Sequence, residues 1–170
     1  SPPDAQAVFF GACIGTMFGP EDEGPGSRDA LRALLDRAGI PVVVPEENGG
    51  LCCGTPWKSK GHLDGYRLMS DRVLASLWDA SRHGELPVVC DAASCTEGLD
   101  VMLTQAVAAH PEYAGLRIED ATTFVAREVL PRPSVDAKLP SIAVHPTCST
   151  TALGATGALT AIAAAVADEV

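Results

Sequence analysis

Apolar residues along the chain fall into short blocks that alternate with longer stretches of helical periodicity. Four of these blocks are typical of buried strands, because each is short, apolar and bounded by residues that favour turns. They are Ala7–Phe10, Pro41–Val44, Pro87–Cys90 and Ser141–His145. Strands that alternate with helices predict a parallel sheet with right-handed crossovers. We therefore expect an open α/β fold, with a mostly parallel sheet of about four strands and flanking helices.

The stretches between these blocks predict amphipathic helices. One begins at Ser27 and ends before Gly39, and a longer one runs from about Gly61 to Arg82. Ser94 is predicted to cap a third helix, with Glu97 completing a capping box. A fourth helix carries Phe124 and Val125 and is closed by Pro131 and Pro133. A fifth helix carries Leu159, Ile162, Ala163 and Val166.

Composition limits the class of partner. The chain has 170 residues and a net charge of −10, with 46% hydrophobic residues. Nucleic-acid binding needs clustered Lys and Arg, which this sequence does not have, and the acidity also disfavours docking onto anionic lipid. Ser1–Gln6 does not resemble a signal peptide, and the weakly apolar run Ala152–Ala167 is shorter than the roughly 20 residues of a spanning helix. We expect no transmembrane segment and a cytoplasmic location, with peripheral binding at the inner membrane face left open.

Six cysteines in such a chain require an explanation. Disulfides are rare in a reducing compartment, so metal ligation or redox chemistry is the expected use. Buried unreactive thiols are the alternative, since free Cys is among the most buried residue types.

The cysteines follow the predicted strands. Cys13 lies three residues after the first strand, Cys52 and Cys53 follow the second, Cys95 follows the third, and Cys148 follows the fourth. Because the carboxyl ends of parallel strands share one edge of a sheet, we expect these thiols in loops at that edge, where α/β proteins bind ligands.

Two cysteines carry further expectations. Cys90 ends its strand and is expected to point into the core. Cys95 stands at a helix start, where the helix dipole would lower the pKa of the thiol and favour the thiolate that binds metal.

The adjacent pair Cys52-Cys53 indicates the kind of site. Zinc sites usually use pairs of cysteines separated by two to four residues, and only Cys90 and Cys95 approach that spacing. Neighbouring thiolates suit a multi-iron cluster better, because they can reach different iron atoms. Gly54 then allows a tight turn and close approach of the cluster.

At these residues the chain resembles a known family, the cysteine-rich CCG domain. That domain occurs in heterodisulfide reductases and in the iron–sulfur subunits of glycolate oxidase and lactate utilisation. The resemblance rests on Cys13 and, after 38 intervening residues, Cys52-Cys53-Gly54. The segments Leu51–Gly61 and Val89–Leu99 look most like the carboxyl-terminal region of FAD-linked D-lactate dehydrogenases, and the likeness covers nearly the whole chain.

The resemblance implies a ligand set. Cys13 matches the first ligand, Cys52 and Cys53 match the paired ligands, and Cys95 matches the Ser-Cys of the lactate-type members. Cys90 and Cys148 are further candidates. Ala92 stands where the first Cys of a terminal C-x2-C pair would be, so the likeness implies a four-thiolate 4Fe–4S cluster rather than a five-cysteine noncubane cluster.

The resemblance also implies a domain plan. Residues 1–140 would form the first CCG repeat, and residues 141–170, opening with His145-Pro146-Thr147-Cys148, the start of a second, truncated repeat on the same sheet. Flavin and ferredoxin-like domains would belong to the same protein, with FAD bound in the part outside this chain. The isolated chain would be inactive and would lack its cluster when prepared in air.

The implied function is electron transfer from a flavin, reduced by a 2-hydroxy acid such as D-lactate, to an acceptor that is either a quinone or a cytochrome. No residue of this chain is assigned a catalytic role in that scheme. Two alternatives stay open. One is cluster-based disulfide reduction of the heterodisulfide reductase type, and the other is a structural module with zinc, or nothing, at the cysteines.

Overall fold

The computed structural model describes residues 3–20, 24–132 and 137–170 of the chain. Pro133, predicted to help close a helix, lies outside these residues.

A four-stranded parallel sheet forms the centre of the fold. Its strands stand in the order β2-β1-β3-β4, and they are β1 (Ala7–Phe10), β2 (Val42–Val43), β3 (Val88–Cys90) and β4 (Ile118–Asp120). Val8 is the register partner of Val43 on one side and of Val88 on the other. The prediction of an open, parallel α/β fold with four strands is confirmed.

The fourth strand differs from the prediction. Ile118–Asp120 pairs with β3, whereas the predicted strand Ser141–His145 does not join this sheet. Instead β5 (Leu139–Ser141) pairs in parallel with β6 (Ala167–Glu169) in a separate two-stranded sheet. The expectation of a strand at Ser141–His145 in the main sheet is therefore wrong, while the division into a first repeat and a truncated second one stays a prediction. The physical reason is that β4 pairs with β3 and so uses the backbone hydrogen-bonding groups on that side of β3.

Eight α-helices lie in the described ranges: α1 (Ile14–Met17), α2 (Ser27–Arg37), α3 (Thr55–Ser59), α4 (Leu63–Ala80), α5 (Ala93–Ala106), α6 (Ala121–Phe124), α7 (Cys148–Ala152) and α8 (Thr156–Val166). Short 3-10 helices span Asn48–Gly50 and Pro111–Gly115, and a π-helical turn spans Val125–Val129. The helices predicted from Ser27, from Gly61 and at the chain end are confirmed.

The predicted capping box at the start of α5 is wrong. The helix begins after Ala92, whose backbone is extended, so Ser94 already lies inside the first turn and no side chain caps the helix. Glu97 accepts a hydrogen bond from Ser149 instead.

Two apolar layers cover the sheet. One layer includes Val8, Phe10 and Val88 together with residues of α4 and α5, and the other includes Ala7 and Val89 together with Leu35 and Phe124. Successive strand residues therefore alternate between the layers, as the period of a strand requires. Both faces of the sheet are covered, which leaves its carboxyl edge as the place where loops from several strands meet. No helix in the described ranges is both long and apolar enough to cross a membrane.

Candidate functional site: a cluster of thiols at the sheet edge

Three loops bring the cysteines to the carboxyl edge of the sheet. Cys13 immediately precedes α1 in the loop after β1. Cys52 and Cys53 lie between the 3-10 helix that follows β2 and the start of α3. Cys90 is the last residue of β3, and Cys95 lies in the first turn of α5. Since the strands are parallel, these loops share one edge, as predicted.

Five thiols lie close enough together for each to affect the ionisation of the next. The pairs are Cys13 with Cys52, Cys52 with Cys53, Cys53 with Cys95, and Cys95 with Cys90. None of these cysteines forms a disulfide. We refer to Cys13, Cys52, Cys53, Cys90 and Cys95 as the thiol cluster. The four predicted ligands thus lie together, and Cys90 joins them.

The five thiols differ in burial. Cys13 and Cys52 are half-buried, whereas Cys53, Cys95 and Cys90 are 4%, 7% and 0% exposed. Cys90 belongs to the apolar layer of Val8 and Phe10, as its position at a strand end predicts. It therefore packs in the core and also contacts Cys95.

Burial and thiol–thiol contacts oppose ionisation. Desolvation raises the pKa of Cys13 and of Cys52, although the Gly54 N–H, which donates to Cys52 Sγ at 3.4 Å, lowers the latter. The hydrogen bond with Cys95, and then burial, raise the pKa of Cys53. In the absence of a cation these three thiols are protonated at neutral pH.

The expectation for Cys95 is wrong in sign. The hydrogen bond with Cys53 lowers the pKa of the Cys95 thiol, but contact with Cys90 and burial outweigh it and raise that pKa to about 12. Its place in the first turn of α5 does not compensate for the loss of water. A bound metal would reverse this balance, since a coordinating thiol loses its proton.

Gly54 is required by the turn that carries Cys52 and Cys53. Its φ of +76° lies in the left-handed region, and it precedes the first residue of α3. A Cβ there would lie 2.2 Å from the Met102 side chain and 2.7 Å from the Tyr66 ring. From the sequence, Gly54 was expected to allow close approach of a cluster. On this side of the turn, the groups that approach Gly54 are core side chains.

A second glycine allows α5 to approach the same turn. A Cβ at Gly98 would lie 2.9 Å from the carbonyl oxygen of Cys53 and 2.5 Å from Thr55 Oγ1. Sequence reasoning did not single out this residue. Gly98 lies three residues after Cys95 on the same helix, and residues at that spacing share a helix face. This spacing is the signal that could have indicated Gly98.

Polar side chains that the sequence did not indicate hold the loop of Cys13. Asp91 Oδ1 accepts a hydrogen bond of 2.7 Å from the Ala12 N–H, and Arg28 donates to the Ala12 carbonyl. Asn48 donates to the Gly11 carbonyl at 3.0 Å. These contacts join residues that are distant in sequence, so no local motif predicts them.

Cys148 stands apart from the thiol cluster. It begins α7 and is exposed, and no thiol–thiol contact within the described residues includes it. The helix packs near the site through the next residue, because Ser149 donates a hydrogen bond of 2.5 Å to Glu97. The structure thus places Cys148 on a neighbouring helix and not in the site.

A cleft of about 420 Å³ opens beside the cluster. Cys53, Lys58, Tyr66, Glu97 and Ser149 are among the residues that line it. It gives the otherwise buried Cys53 a path towards solvent and places an ammonium and a carboxylate on the same walls.

The arrangement differs from a preformed site for a single metal ion. Within residues 3–20, 24–132 and 137–170, no group of three or more His, Cys, Asp or Glu side chains is placed to hold one. The donor set itself, thiols from several loops at one edge, is of the kind that holds iron–sulfur clusters, for which bonds to iron would replace the thiol–thiol contacts.

Comparison of the chain with family models, with curated proteins and with solved structures finds no match. Membership of the CCG family therefore stays a prediction, which rests on the motifs around Cys13 and Cys52-Cys53-Gly54.

Proposed function

We propose that the chain is an iron–sulfur electron-transfer domain of an FAD-linked 2-hydroxy-acid dehydrogenase of the D-lactate or glycolate type. In this proposal the domain passes electrons from the flavin to a downstream acceptor. The flavin, its substrate site and the ferredoxin-like domain belong to other parts of the same protein.

The convergence of thiols carries the proposal. Cys13, Cys52, Cys53 and Cys95 come from three separate loops, yet their thiols form a connected set. Cysteines that served only as small core residues would have no reason to collect at the carboxyl edge of the sheet. Four thiolates are the usual protein ligands of a 4Fe–4S cluster, which when bound would take up and release single electrons.

The chain's own residues would set the properties of such a centre. The Gly54 N–H already donates to Cys52 Sγ, and hydrogen bonds to cluster sulfurs are one of the means by which proteins adjust reduction potential. The burial of Cys53 and Cys95 would exclude water from one side of the centre, while the half-buried Cys13 and Cys52 would face a partner.

An exposed apolar surface next to Cys13 supports a role in relay between domains. Ile14, Met17 and Phe18 directly follow that cysteine and are 53%, 70% and 71% exposed. Contiguous apolar side chains at a surface commonly mark a protein interface. In the proposed enzyme a flavin or ferredoxin-like domain would dock here, close to the outer thiols.

A second candidate function is cluster-based disulfide reduction. The cleft beside Cys53 favours it, because the cleft gives a small molecule access to a thiol and offers the Lys58 ammonium for an anionic group. An electron relay needs no such cleft. A structural zinc module has less support, since the described cysteines, histidines and carboxylates provide no ready single-ion site.

The test is anaerobic reconstitution with iron and sulfide. Protein prepared in air should be free of metal, because iron–sulfur clusters are sensitive to oxygen, and it should still be folded, because apolar side chains cover both faces of the sheet. After reconstitution we expect about four iron and four sulfide per chain and absorbance at roughly 400 nm, from the thiolate-bound cluster. Photoreduced flavin should then bleach that band, and ferricyanide should restore it.

Cys148→Ser is the matched control, because it removes an exposed thiol outside the cluster. It should take up iron as the unaltered chain does, while Cys53→Ser should not. Zinc bound at one ion per chain in place of iron would contradict the proposal, as would iron uptake that Cys53→Ser leaves unchanged. Bleaching by a small thiol in place of flavin would favour disulfide chemistry.

A further inference from the structure

The turn that carries Cys13 rests on an arginine from another element. Arg28 is the second residue of α2, and its guanidinium lies against Gly11 and Gly15, two residues to either side of Cys13. A Cβ on Gly11 would lie 3.0 Å from Arg28 Nε, and one on Gly15 would lie 3.5 Å from an η nitrogen. The two glycines thus leave the space that the guanidinium occupies.

Hydrogen bonds fix the guanidinium in this position. Arg28 donates to Thr16 Oγ1 at 2.8 Å and to the carbonyl oxygen of Ala12. The N–H donors of the guanidinium fork therefore span the turn, from the residue before Cys13 to α1. A lysine, with one ammonium group on a flexible side chain, does not reproduce this geometry.

Asp91 completes the arrangement from the end of β3. Its carboxylate is 6% exposed, lies 3.6 Å from Arg28 Nε, and accepts the Ala12 N–H at 2.7 Å. Both backbone polar groups of Ala12 are thus held, one by Arg28 and one by Asp91. A residue so constrained directly before Cys13 limits where that thiol can point.

One donor of the guanidinium makes no hydrogen bond with the described residues. Arg28 Nε is buried, and the carboxylate of its ion-pair partner Asp91, at 3.6 Å, lies beyond hydrogen-bond distance. The guanidinium thus brings a positive charge, paired with Asp91, next to the Cys13 turn.

We propose that Arg28 is a positioning residue for Cys13, which fixes the turn that carries the thiol and supplies a positive charge to the anionic centre bound there. The positioning part stands on the contacts of the chain alone. The charge part rests on the proposed function, since it requires a bound cluster.

Three variants separate the two parts. Arg28→Gln removes both the fork and the charge, Arg28→Lys keeps the charge and removes the fork, and Arg67→Gln is the control. Arg67 is 71% exposed and pairs with Asp64 on the surface of α4, so its substitution makes the same charge change away from the cysteines.

Amide hydrogen exchange of the metal-free protein tests positioning. Both Arg28 variants should speed exchange of the amides from Ala12 to Met17 by about tenfold, corresponding to local loss of protection. The amides of β3 and α5 should be unchanged, and Arg67→Gln should match the unaltered chain throughout. Unchanged exchange at Ala12–Met17 in folded Arg28→Gln would overturn the positioning role.

The midpoint potential of the reconstituted protein tests the charge. Loss of a cation makes addition of an electron to an anionic centre less favourable, so Arg28→Gln should lower the potential. We expect about a tenfold change in the one-electron equilibrium, which is 59 mV. Arg28→Lys should show a smaller shift and Arg67→Gln none; equal potentials for all four proteins would overturn the charge role.

Other outcomes also decide between the proposals. If the unaltered chain binds no iron, the proposed function fails, and the exchange experiment still decides whether Arg28 orders the turn. If circular dichroism shows that Arg28→Gln is unfolded, Thr16→Val serves instead, since it removes one hydrogen bond of Arg28 and no charge. Faster exchange at Ala12–Met17 in that variant would support positioning, and no change would contradict it.

Discussion

Ser149 donates a hydrogen bond of 2.5 Å to Glu97 and so joins the first turn of α7 to the amino-terminal half of α5. The two helices carry Cys148 and Cys95. This contact links residues that are 52 positions apart and holds the carboxyl-terminal segment near the thiol cluster. It is also the contact that Glu97 makes in place of the capping box predicted from the sequence.

A matched pair of serine variants tests that reassignment. Ser149→Ala should lower the free energy of unfolding by about 1–2 kcal/mol, because it removes a hydrogen bond to a charged, half-buried group. Ser94→Ala should change it by less than about 0.5 kcal/mol, since Ser94 caps nothing. Urea denaturation followed by circular dichroism measures both. If Ser94→Ala were the more damaging of the two, the capping interpretation would be correct after all.

A pair of glycine variants separates backbone strain from steric conflict. Gly39 and Gly54 both have positive φ, +66° and +76°, but a Cβ on Gly39 meets nothing within 4 Å. Gly39→Ala should therefore cost about 1–2 kcal/mol, the penalty of the left-handed conformation. Gly54→Ala should cost several kcal/mol, because it adds the conflict with Met102 and Tyr66. Similar urea midpoints for the two variants would show that the core yields around Gly54.

A cysteine scan tests the ligand set. Cys13, Cys52, Cys53 and Cys95, each changed to Ser, should lose most of the iron taken up on reconstitution, because each supplies one of the four thiolates that a 4Fe–4S cluster needs. Cys90→Ala should keep its iron and lose about 1 kcal/mol of stability, from the small space left in the core. Iron and sulfide quantitation gives the result. Iron loss in Cys90→Ala with normal loading of Cys95→Ser would assign the fourth ligand to Cys90.

The raised thiol pKa values predict lower stability of the metal-free protein in alkali. The Cys95 pKa is about 12 in the folded chain, against an ordinary value of about 9. Between these values the unfolded chain binds fewer protons than the folded one, so stability is full below about pH 9 and falls as the pH rises towards 12. The slope is about 1.4 kcal/mol per pH unit for each such thiol. Urea midpoints at pH 8 and pH 10.5 should show the fall, and Cys95→Ala should flatten it. An equally steep fall in that variant would mean that other groups cause it.

The strand pattern predicted most of the main sheet because β1, β2 and β3 are apolar blocks, of which β1 and β3 are fully buried. It missed β4, in which Ile118 is followed by Glu119 and Asp120, since a short edge strand needs few apolar residues. Asp120 does carry a local signal, because its carboxylate caps α6 by accepting the Thr122 N–H at 2.9 Å. The strand predicted at Ser141–His145 overlaps β5 only at Ser141, and periodicity also does not indicate which strand is the partner of another.

The cysteine positions were predictable for a similar reason. Their placement after strands depends only on chain order and on the geometry of parallel sheets. The support from Arg28 and Asp91 was not predictable, because it joins α2 and the end of β3 to the β1 loop through contacts between distant residues. The pKa of Cys95 was misjudged because burial of a helix start is a tertiary property that local sequence does not specify.

The arrangement of the thiols gives Cys53 a central place. It affects the ionisation of Cys13, Cys52 and Cys95, which come from all three loops at this edge. Cys90, at the other extreme, affects that of Cys95, its neighbour on the same segment after β3. A change at Cys53 would therefore alter the protonation of thiols on every loop of the site at once.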